Sequence, residues 1–214
     1  MSKNKEKYTK GSVWWGVLIF ALLVLVDQLT KAFAEAYFTE STKIPVIDGW
    51  IYLTLTHNPG ISYGAGSNWP EWGKIALVIG TGVVMLALAI MYFKMDKRRS
   101  FLRTAFIFVV AGGVGNLIDR LYYKVWTLDA TALTGVRDMV DLNRLGFAVC
   151  NFADFFISAG AVMLVFALLF FDREAFFPVG KYKALRKEAD EAEEAAEVKN
   201  AVAKAKSNED KDTL

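Results

Sequence analysis

Four long apolar stretches constrain this chain more than any other feature of its sequence. They are Val13–Val26 (reaching about Phe33 if Asp27 and Lys31 are tolerated), Ile75–Phe93, Thr104–Ile118 and Phe155–Phe171. A helix that crosses the hydrocarbon core of a bilayer needs about 20 mostly apolar residues. Because lipid offers no partner to backbone N–H and C=O groups, each stretch is expected to be helical. The sequence therefore predicts an all-α membrane protein with a bundle of four transmembrane helices.

The placement of basic residues predicts the topology. Lysine and arginine collect in the cytoplasmic loops of membrane proteins. They occur here before the first stretch, in the loop Lys94–Arg99, and after Arg173. We therefore expect both termini in the cytoplasm, with segments of roughly 34–72 and 121–151 on the outer face of the membrane. The expected divisions are a cytoplasmic tail at 1–12, a membrane domain at 13–172 and a charged cytoplasmic tail at 173–214.

The first outward segment has the pattern of a β-hairpin. Ile44–Ile47 and Trp50–Thr56 are rich in β-branched and aromatic residues, and Asp48-Gly49 between them is a typical turn. This predicts a small extracytoplasmic β-sheet, or cradle, between helices 1 and 2. Its tryptophans are expected to anchor it at the membrane surface.

Carboxylates from distant parts of the chain converge at one depth in this topology. Asp27 lies about 20 Å along the first helix and Asp119 about 27 Å along the third, at 1.5 Å per residue, so both approach the outer side. Asp154 stands in the first turn of the fourth helix, and Asp141 precedes it in the outward segment. Two neighbouring carboxyl groups that share a proton can hydrolyse an amide, one activating water and the other acting as an acid.

Structural roles are open for the same residues. Asp27 and Lys31 are spaced i,i+4 on a helix and can neutralise each other. Asp119 and Arg120 can form an interfacial ion pair, and Asp154 can cap a helix.

A thiol mechanism and a metal site are weaker alternatives. His57 and Cys150 are each the only residue of their type, so a Cys–His pair requires two distant segments to meet, and no intrachain disulfide is possible. One histidine and one cysteine also leave little for a metal beyond carboxylates. The glycines of Gly112–Gly115 favour close helix packing over a phosphate-binding loop, which needs a soluble strand–loop–helix context.

Five segments in order resemble the lipoprotein signal peptidase (signal peptidase II) family. They are Asp27-Gln28-Leu29-Thr30-Lys31, His57-Asn58-Pro59-Gly60-Ile61-Ser62-Tyr63-Gly64, the segment from Gly112 to Arg120 with its Gly-Asn-Leu-Ile-Asp-Arg, Val140-Asp141-Leu142, and Asn151-Phe152-Ala153-Asp154. The resemblance covers the four-helix core. It implies a membrane aspartic endopeptidase that needs no metal or other cofactor and removes the signal peptide of a diacylglyceryl prolipoprotein, on the N-terminal side of the lipidated cysteine.

The resemblance also implies roles for particular residues. Asp141 and Asp154 match the catalytic pair. The remaining matches are substrate-binding positions (Asn58, Gly60, Asn116, Arg120 and Asn151) and supporting positions (Asp27, Lys31 and Asp119). Membrane lipid and globomycin-type inhibitors are the further expected partners, and no nucleic acid is expected.

One element departs from the family pattern. Leu142 follows Asp141 where the family usually has phenylalanine or another large apolar residue. Asp138 lies three residues earlier, and a helical connection could present either acid. We favour Asp141 because Val140 precedes it, and keep Asp138 as the substitute.

Two other functions remain open at this stage. A small proton- or ion-coupled transporter also carries carboxylates in its helices, but normally near the midplane and at repeat interfaces. A non-catalytic assembly factor would use the outward sheet for docking.

Overall fold

The computed structural model describes residues 11–61, 65–95, 99–127, 134–171, 176–177 and 179–212. Four features of the sequence analysis lie outside these ranges. They are the N-terminal lysines before residue 11, Ser62–Gly64 of the second motif, residues 96–98 of the basic loop, and Arg173.

Within the described residues, four helices are long and apolar enough to cross a membrane, which confirms the predicted number. They are α1 (Gly11–Tyr37), α2 (Glu71–Lys94), α3 (Ser100–Tyr122) and α4 (Phe152–Leu169). Of the most apolar window in α3, 61% is buried, against 11–17% in the other three helices. Both α1 and α2 pack on α3. Helix α3 is therefore the inner helix, and the others present apolar side chains outward.

Glycine allows α3 and α4 to pack closely, as the Gly112–Gly115 segment predicted. A Cβ atom at Gly112 would overlap the carbonyl oxygen of Ala153 and the side chain of Ile157 on α4. Gly160 of α4 faces Val109 in the same way. Close approach of helix backbones at small residues is common in membranes. It brings the N-terminal end of α4 against the middle of α3.

A four-stranded antiparallel sheet lies in the connections between the helices. Its strands, in spatial order, are β1 (Ile44–Ile47), β2 (Ile51–Asn58), β3 (Val136–Asp141) and β4 (Val149–Cys150). The first two form the predicted hairpin. The other two come from the α3–α4 connection, where the sequence analysis expected no strand, so both connections build one sheet.

The pleat of β3 places Asp138 and Asp141 on opposite faces, a distinction that the sequence alone did not provide. Asp138 pairs with Thr56 of β2, while Asp141 pairs with Tyr52 at the end of the strand. Successive side chains of a strand point to opposite faces, so residues three apart lie on opposite faces. The idea of a helical connection that could present either acid is wrong, because this segment is extended.

The face of β3 that lies opposite Asp138 packs on the helices. Met139, next to Asp138, joins Leu55 of β2 and Ala34 of α1 in a buried apolar cluster. This contact fixes the sheet on α1, so the alternation leaves Asp138 facing the other way.

Residues Val165–Leu214 form a second compact unit by their internal contacts. It contains the end of α4 and a long helix, α5 (Lys181–Asp212). Its side chains are mostly exposed up to residue 200, as expected for the charged tail when it is helical.

We expect Gly112→Ala to destabilise the protein. The added methyl would force α3 and α4 apart, and overpacking of this kind costs about 1–3 kcal/mol. The matched control is Gly80→Ala on α2, where the methyl group meets open space, so it should be neutral or slightly stabilising. Thermal unfolding in detergent measures both variants. Equal stability of the two would contradict the close α3–α4 packing.

Candidate active site

A buried lysine connects the helices beneath the sheet. Lys31 is fully buried and its Nζ donates to Asp27 Oδ2 at 2.9 Å, which confirms the i,i+4 pair on α1. The same Nζ lies 3.7 Å from Asp119 Oδ2 on α3. It also donates to Asn116 Oδ1 at 2.9 Å. A single ammonium group thus binds two carboxylates and an amide from two helices.

The second carboxylate of this cluster has a partner on the sheet. Asp119 accepts hydrogen bonds from the backbone N, Nε and Nη2 of Arg137 at 2.9, 3.1 and 2.9 Å. The expected ion pair with the adjacent Arg120 is not formed among the described contacts, since Arg137 and Lys31 occupy Asp119. Asp27, Asp119, Lys31 and Arg137 are buried, and Arg137 also pairs with the partly exposed Glu35 of α1 at 2.9 Å. Arg137 thus attaches β3 to both α1 and α3.

Asn116 transmits the position of Lys31 to the first carboxyl group of the site. Its Oδ1 accepts from Lys31 and, at 3.0 Å, from Asn151 Nδ2. With its oxygen directed at these donors, its Nδ2 is left to donate to Asp154 Oδ1 at 2.9 Å. The orientation of the amide is therefore set by the buried cation.

The N-terminus of α4 holds the second carboxylate oxygen and the backbone N of Asp154. Asn151 Oδ1 accepts from the backbone N of Asp154 at 3.1 Å, and Asp154 Oδ2 accepts from the backbone N of Asn151 at 3.1 Å. This reciprocal pair is a capping box in which Asn151 is the cap and Asp154 the third helical residue. The backbone N of Ala153 donates to Asp27 Oδ1 at 2.9 Å. The α4 N-terminus is thus held against α1, next to Asp154.

Asp138 stands opposite this helix end, 3% exposed. Its Oδ1 accepts from Asn151 Nδ2 at 2.6 Å, and its Oδ2 accepts from Asn58 Nδ2 at 3.2 Å. Burial, and then the charge of Asp154, raise the pKa of the Asp138 carboxyl to about 7 against the two amide donors that lower it. Asn151 therefore contacts two carboxyl groups, one that holds its proton near neutral pH and one at a helix N-terminus.

Asp141 has different surroundings from those the sequence analysis expected. Its Oδ1 accepts from the backbone N and Nδ2 of Asn143 at 2.9 and 2.7 Å, and Lys43 lies 3.5 Å from its Oδ2. These contacts, with the backbone hydrogen bond foremost, lower its pKa. The structure does not bring Asp141 to Asp154. Instead, Asp141 hydrogen-bonds within the turn that follows β3.

A cavity of about 760 Å³ opens onto the two carboxyl groups. Asp138, Asp154, Asn58, Asn116 and Arg120 line its polar part. Its apolar part is formed by side chains of α2, the α4 N-terminal half and the loop before β4, which include Met85, Phe147 and Ile157. The cavity thus joins an acidic pair to an apolar surface between helices.

Arg120 lines the cavity and has a hydrogen-bond donor that is not in use. It is 9% exposed, and its Nη2 donates to the carbonyl oxygen of Gly60 at 3.4 Å. Its Nε is buried and has no hydrogen-bond partner. The backbone N of Gly60 donates to Asn58 Oδ1 at 3.0 Å, which orients the Asn58 amide toward Asp138.

The structure does not bring His57 and Cys150 together. His57 neighbours Asn58 in β2 and so points to the other face, where it contacts the ring of Tyr123. Cys150 lines the cavity, but burial and then the two carboxylates raise its thiol pKa to about 12. Among the described residues, no three His, Cys, Asp or Glu side chains are grouped as metal ligands.

Comparison with known proteins decides the family. A sequence model of signal peptidase (SPase) II matches residues 19–170. The chain belongs to the signal peptidase II family. A lipoprotein signal peptidase of Fusobacterium nucleatum is 31% identical over 176 residues, which span 81% of this chain and 98% of that protein. One from Pelotomaculum thermopropionicum is 33% identical over 152 residues, 71% of this chain and 90% of the relative. The expected resemblance is confirmed, and the chain is an aspartic endopeptidase of this family.

Solved structures agree on the architecture. A bacterial membrane enzyme determined by the in meso method at 2.3 Å resolution superposes with a TM-score of 0.61 and 27% identity over 73% of this chain and 88% of that chain. A second one, at 1.9 Å resolution, gives a TM-score of 0.62 and 25% identity over 73% and 94% of the two chains. The signal peptidase II chain is therefore a multi-pass membrane enzyme with four apolar helices and a small sheet.

Sequence reasoning did not single out Arg137, and ranked Asp138 below Asp141. Val136-Arg137-Asp138-Met139 carries no clear strand pattern, because its two charged residues are adjacent and the segment does not alternate with period two. It forms a strand by pairing with β2, which is distant in sequence.

Asp138 and Asp141 are expected to change stability with pH in opposite directions. The pKa of Asp138 is raised to about 7 in the folded state, against about 3.9 unfolded. The folded protein therefore binds the extra proton, and its stability falls as pH rises from about 4 to 7. Asp138→Asn removes this loss and should raise the unfolding temperature relative to the parent at pH 7.5, but not at pH 4.5.

Asp141→Asn is the matched variant. Its folded-state pKa is lowered, so the parent carboxylate stabilises above the unfolded pKa and the Asn variant should unfold at a lower temperature at pH 7.5. Thermal unfolding of both variants at the two pH values is the measurement. If both substitutions shift stability in the same direction, the opposite pKa shifts of the two acids are contradicted.

Cys150→Ala should retain near-normal turnover. A thiol with a pKa of about 12 is protonated at neutral pH and cannot serve as a nucleophile. The assay is cleavage of a diacylated prolipoprotein in detergent or liposomes. A loss of several orders of magnitude in a folded variant would restore the Cys–His mechanism.

Proposed function

We propose that Asp138 and Asp154 are the catalytic pair of a signal peptidase II that cleaves diacylglyceryl prolipoproteins on the N-terminal side of the lipidated cysteine. The carrying observation is that Asn151 hydrogen-bonds both residues at one end of one cavity. Asp138 replaces Asp141 in this assignment, because Asp141 is absent from the cavity lining and is occupied by Asn143 and Lys43.

The two environments assign different roles to the two acids. Asp154, at a helix N-terminus with Asn116 as donor, is the carboxylate that takes a proton from water. Asp138, buried with a pKa of about 7, is the acid that protonates the scissile carbonyl oxygen as water adds to its carbon. When the tetrahedral intermediate collapses, the C–N bond breaks, Asp154 returns its proton to the leaving amine, and Asp138 regains its own.

The surrounding polar residues divide into two groups. Asn116 and Asn151 are already hydrogen-bonded to the aspartates, so they position these rather than bind substrate. Arg120, with a buried Nε that lacks a partner, is the group that would bind a substrate carbonyl. Asn58 and Gly60 form the polar wall beside it.

The shape of the cavity supports the proposed substrate class. Its polar end holds the acids and its apolar end lies between helices of the membrane domain, which suits a peptide bond next to an apolar, membrane-inserted segment. Globomycin-type peptides would occupy the same cavity, and membrane lipid would surround the lipidated cysteine.

The site is expected to face the outer side of the inner membrane, with the sheet as a cradle beside it. Exposed apolar side chains of the hairpin support this position, because Val46, Ile47 and Trp50 are each more than half exposed. The basic segments at the other ends of the helices indicate a cytoplasmic location for both termini.

Either Asp138→Asn or Asp154→Asn should nearly abolish cleavage, and the double variant should be little worse. Groups that act as one unit are strongly non-additive. The matched control, Asp141→Asn, should keep substantial turnover, because this acid lies outside the cavity. Turnover of a diacylated prolipoprotein measures all four, with globomycin binding as the test of folding.

Two outcomes would contradict the assignment. An active Asp138→Asn beside an inactive Asp141→Asn would return the partner role to Asp141. Activity in all single variants would reject the aspartic pair. A transporter would differ again, since restoring prolipoprotein processing in cells that lack their own enzyme requires hydrolysis.

The topology can be tested with single cysteines in the Cys150→Ala protein. Asp48→Cys, at the exposed hairpin turn, should react with a membrane-impermeant maleimide on spheroplasts. Glu197→Cys, on the exposed α5, should react only after the membrane is permeabilised. Labelling of both positions from the same side is the result that rules out the proposed orientation.

A further inference from the structure

A second cavity, of about 400 Å³, lies between α1, α2 and α3 and shares only Met85 with the cavity of the aspartates. Apolar side chains form its wall, among them Phe20 of α1, Ala89 of α2 and Val110 of α3. Its volume lies in the usual range of ligand pockets, about 300–1,000 Å³. It is therefore large enough for an apolar chain and offers that chain almost no polar group.

The cavity extends along the helices toward the α2–α3 connection. Its α2 lining runs from Gly82 to Phe93, about 16 Å at 1.5 Å per residue. This is roughly half of the ~30 Å hydrocarbon core of a bilayer. A groove of this length matches the acyl region of a single leaflet. It runs from Leu117, next to Asn116 of the aspartate cavity, toward the α2–α3 connection.

The face of α3 that lines this groove continues to a charged residue, Arg103. Phe106, Val110, Val114 and Leu117 line the groove at intervals of three or four residues, which places them on one helix face. Arg103 lies three residues before Phe106 and therefore continues the same face. The apolar stripe ends in an arginine.

Arg103 is buried but incompletely satisfied. It is 4% exposed, and its guanidinium carbon lies 4.3 Å from the ring centroid of Tyr92, which itself lines the groove. Its Nη1 donates to the carbonyl oxygen of Met95 at 3.3 Å, while its buried Nη2 has no hydrogen-bond partner. No carboxylate pairs with it among the described residues. A buried cation with a free donor is costly unless an anion satisfies it.

We propose that this groove binds a bilayer phospholipid of net negative charge, with one acyl chain between α1, α2 and α3 and its phosphate on Arg103. The guanidinium offers the planar pair of donors that suits phosphate oxygens. Arg103 lies beside Tyr92 at the α2–α3 end of the groove, as a headgroup lies at the end of its acyl chain. Lipid at this position is distinct from the lipidated substrate, which is assigned to the other cavity.

The test is titration of phosphatidylglycerol and phosphatidylcholine into the delipidated full chain in detergent, followed by native mass spectrometry. Phosphatidylglycerol should bind more tightly, and Arg103→Gln should weaken it about tenfold or more, the cost of a charged hydrogen bond. Lys94→Gln, which removes an exposed charge from the same end of α2, is the matched control and should change little.

The groove is tested separately by filling it. Ala89→Phe should weaken binding of both lipids, whereas Ala87→Phe, an exposed position on the same helix that does not line the groove, should not. Equal affinity for the two lipids, or unchanged phosphatidylglycerol affinity in a folded Arg103→Gln protein, overturns the proposal. If Arg103→Gln does not fold, unchanged binding by Ala89→Phe overturns it. Prolipoprotein turnover reports folding, and loss of the catalytic pair would leave this lipid binding intact.

Discussion

The site depends on one buried cation. Lys31 binds Asp27, Asp119 and Asn116, and so joins α1 to α3 beneath the sheet. Buried charges are tolerated only when they are paired and hydrogen-bonded, and removing one partner of such a pair typically costs about 3–5 kcal/mol. The cluster therefore adds little to the net stability of the fold, but it fixes the geometry of the helices, because any rearrangement would leave an unpaired charge in the membrane domain.

Hydrogen bonds with a defined donor and acceptor connect Lys31 to Asp154 and so determine the position of that carboxyl group. The ammonium group can only donate, so it holds Asn116 with its oxygen inward and its amino group on Asp154. Asp27 holds the α4 N-terminus through Ala153, beside the same acid. Asn151 then connects Asp154 to Asp138. A carboxyl group held by such a network is preorganised, so Lys31 and Asp27 would act on the proposed chemistry by fixing the position of Asp154.

The sheet makes the two acids unequal. Met139 packs toward α1 with Leu55, and this leaves Asp138 on the cavity face, away from water. Desolvation raises the pKa of Asp138, while Asp154 lies at a helix N-terminus and accepts a hydrogen bond from Asn116. Two neighbouring carboxyl groups in different surroundings can therefore serve as acid and base at neutral pH.

The sequence by itself determined the four spans, the hairpin of β1 and β2, the Asp27–Lys31 pair and the family, because each depends on local periodicity, composition or contiguous motifs. Only the tertiary structure placed Asp138, and not Asp141, beside Asn151 and Asp154. That choice depends on the extended conformation of β3 and its register with β2, which pairs Asp138 with Thr56 across 82 residues of chain. Strand pairing is a long-range interaction, and a shift of one residue would reverse every side chain, so no local pattern could specify which acid meets Asp154.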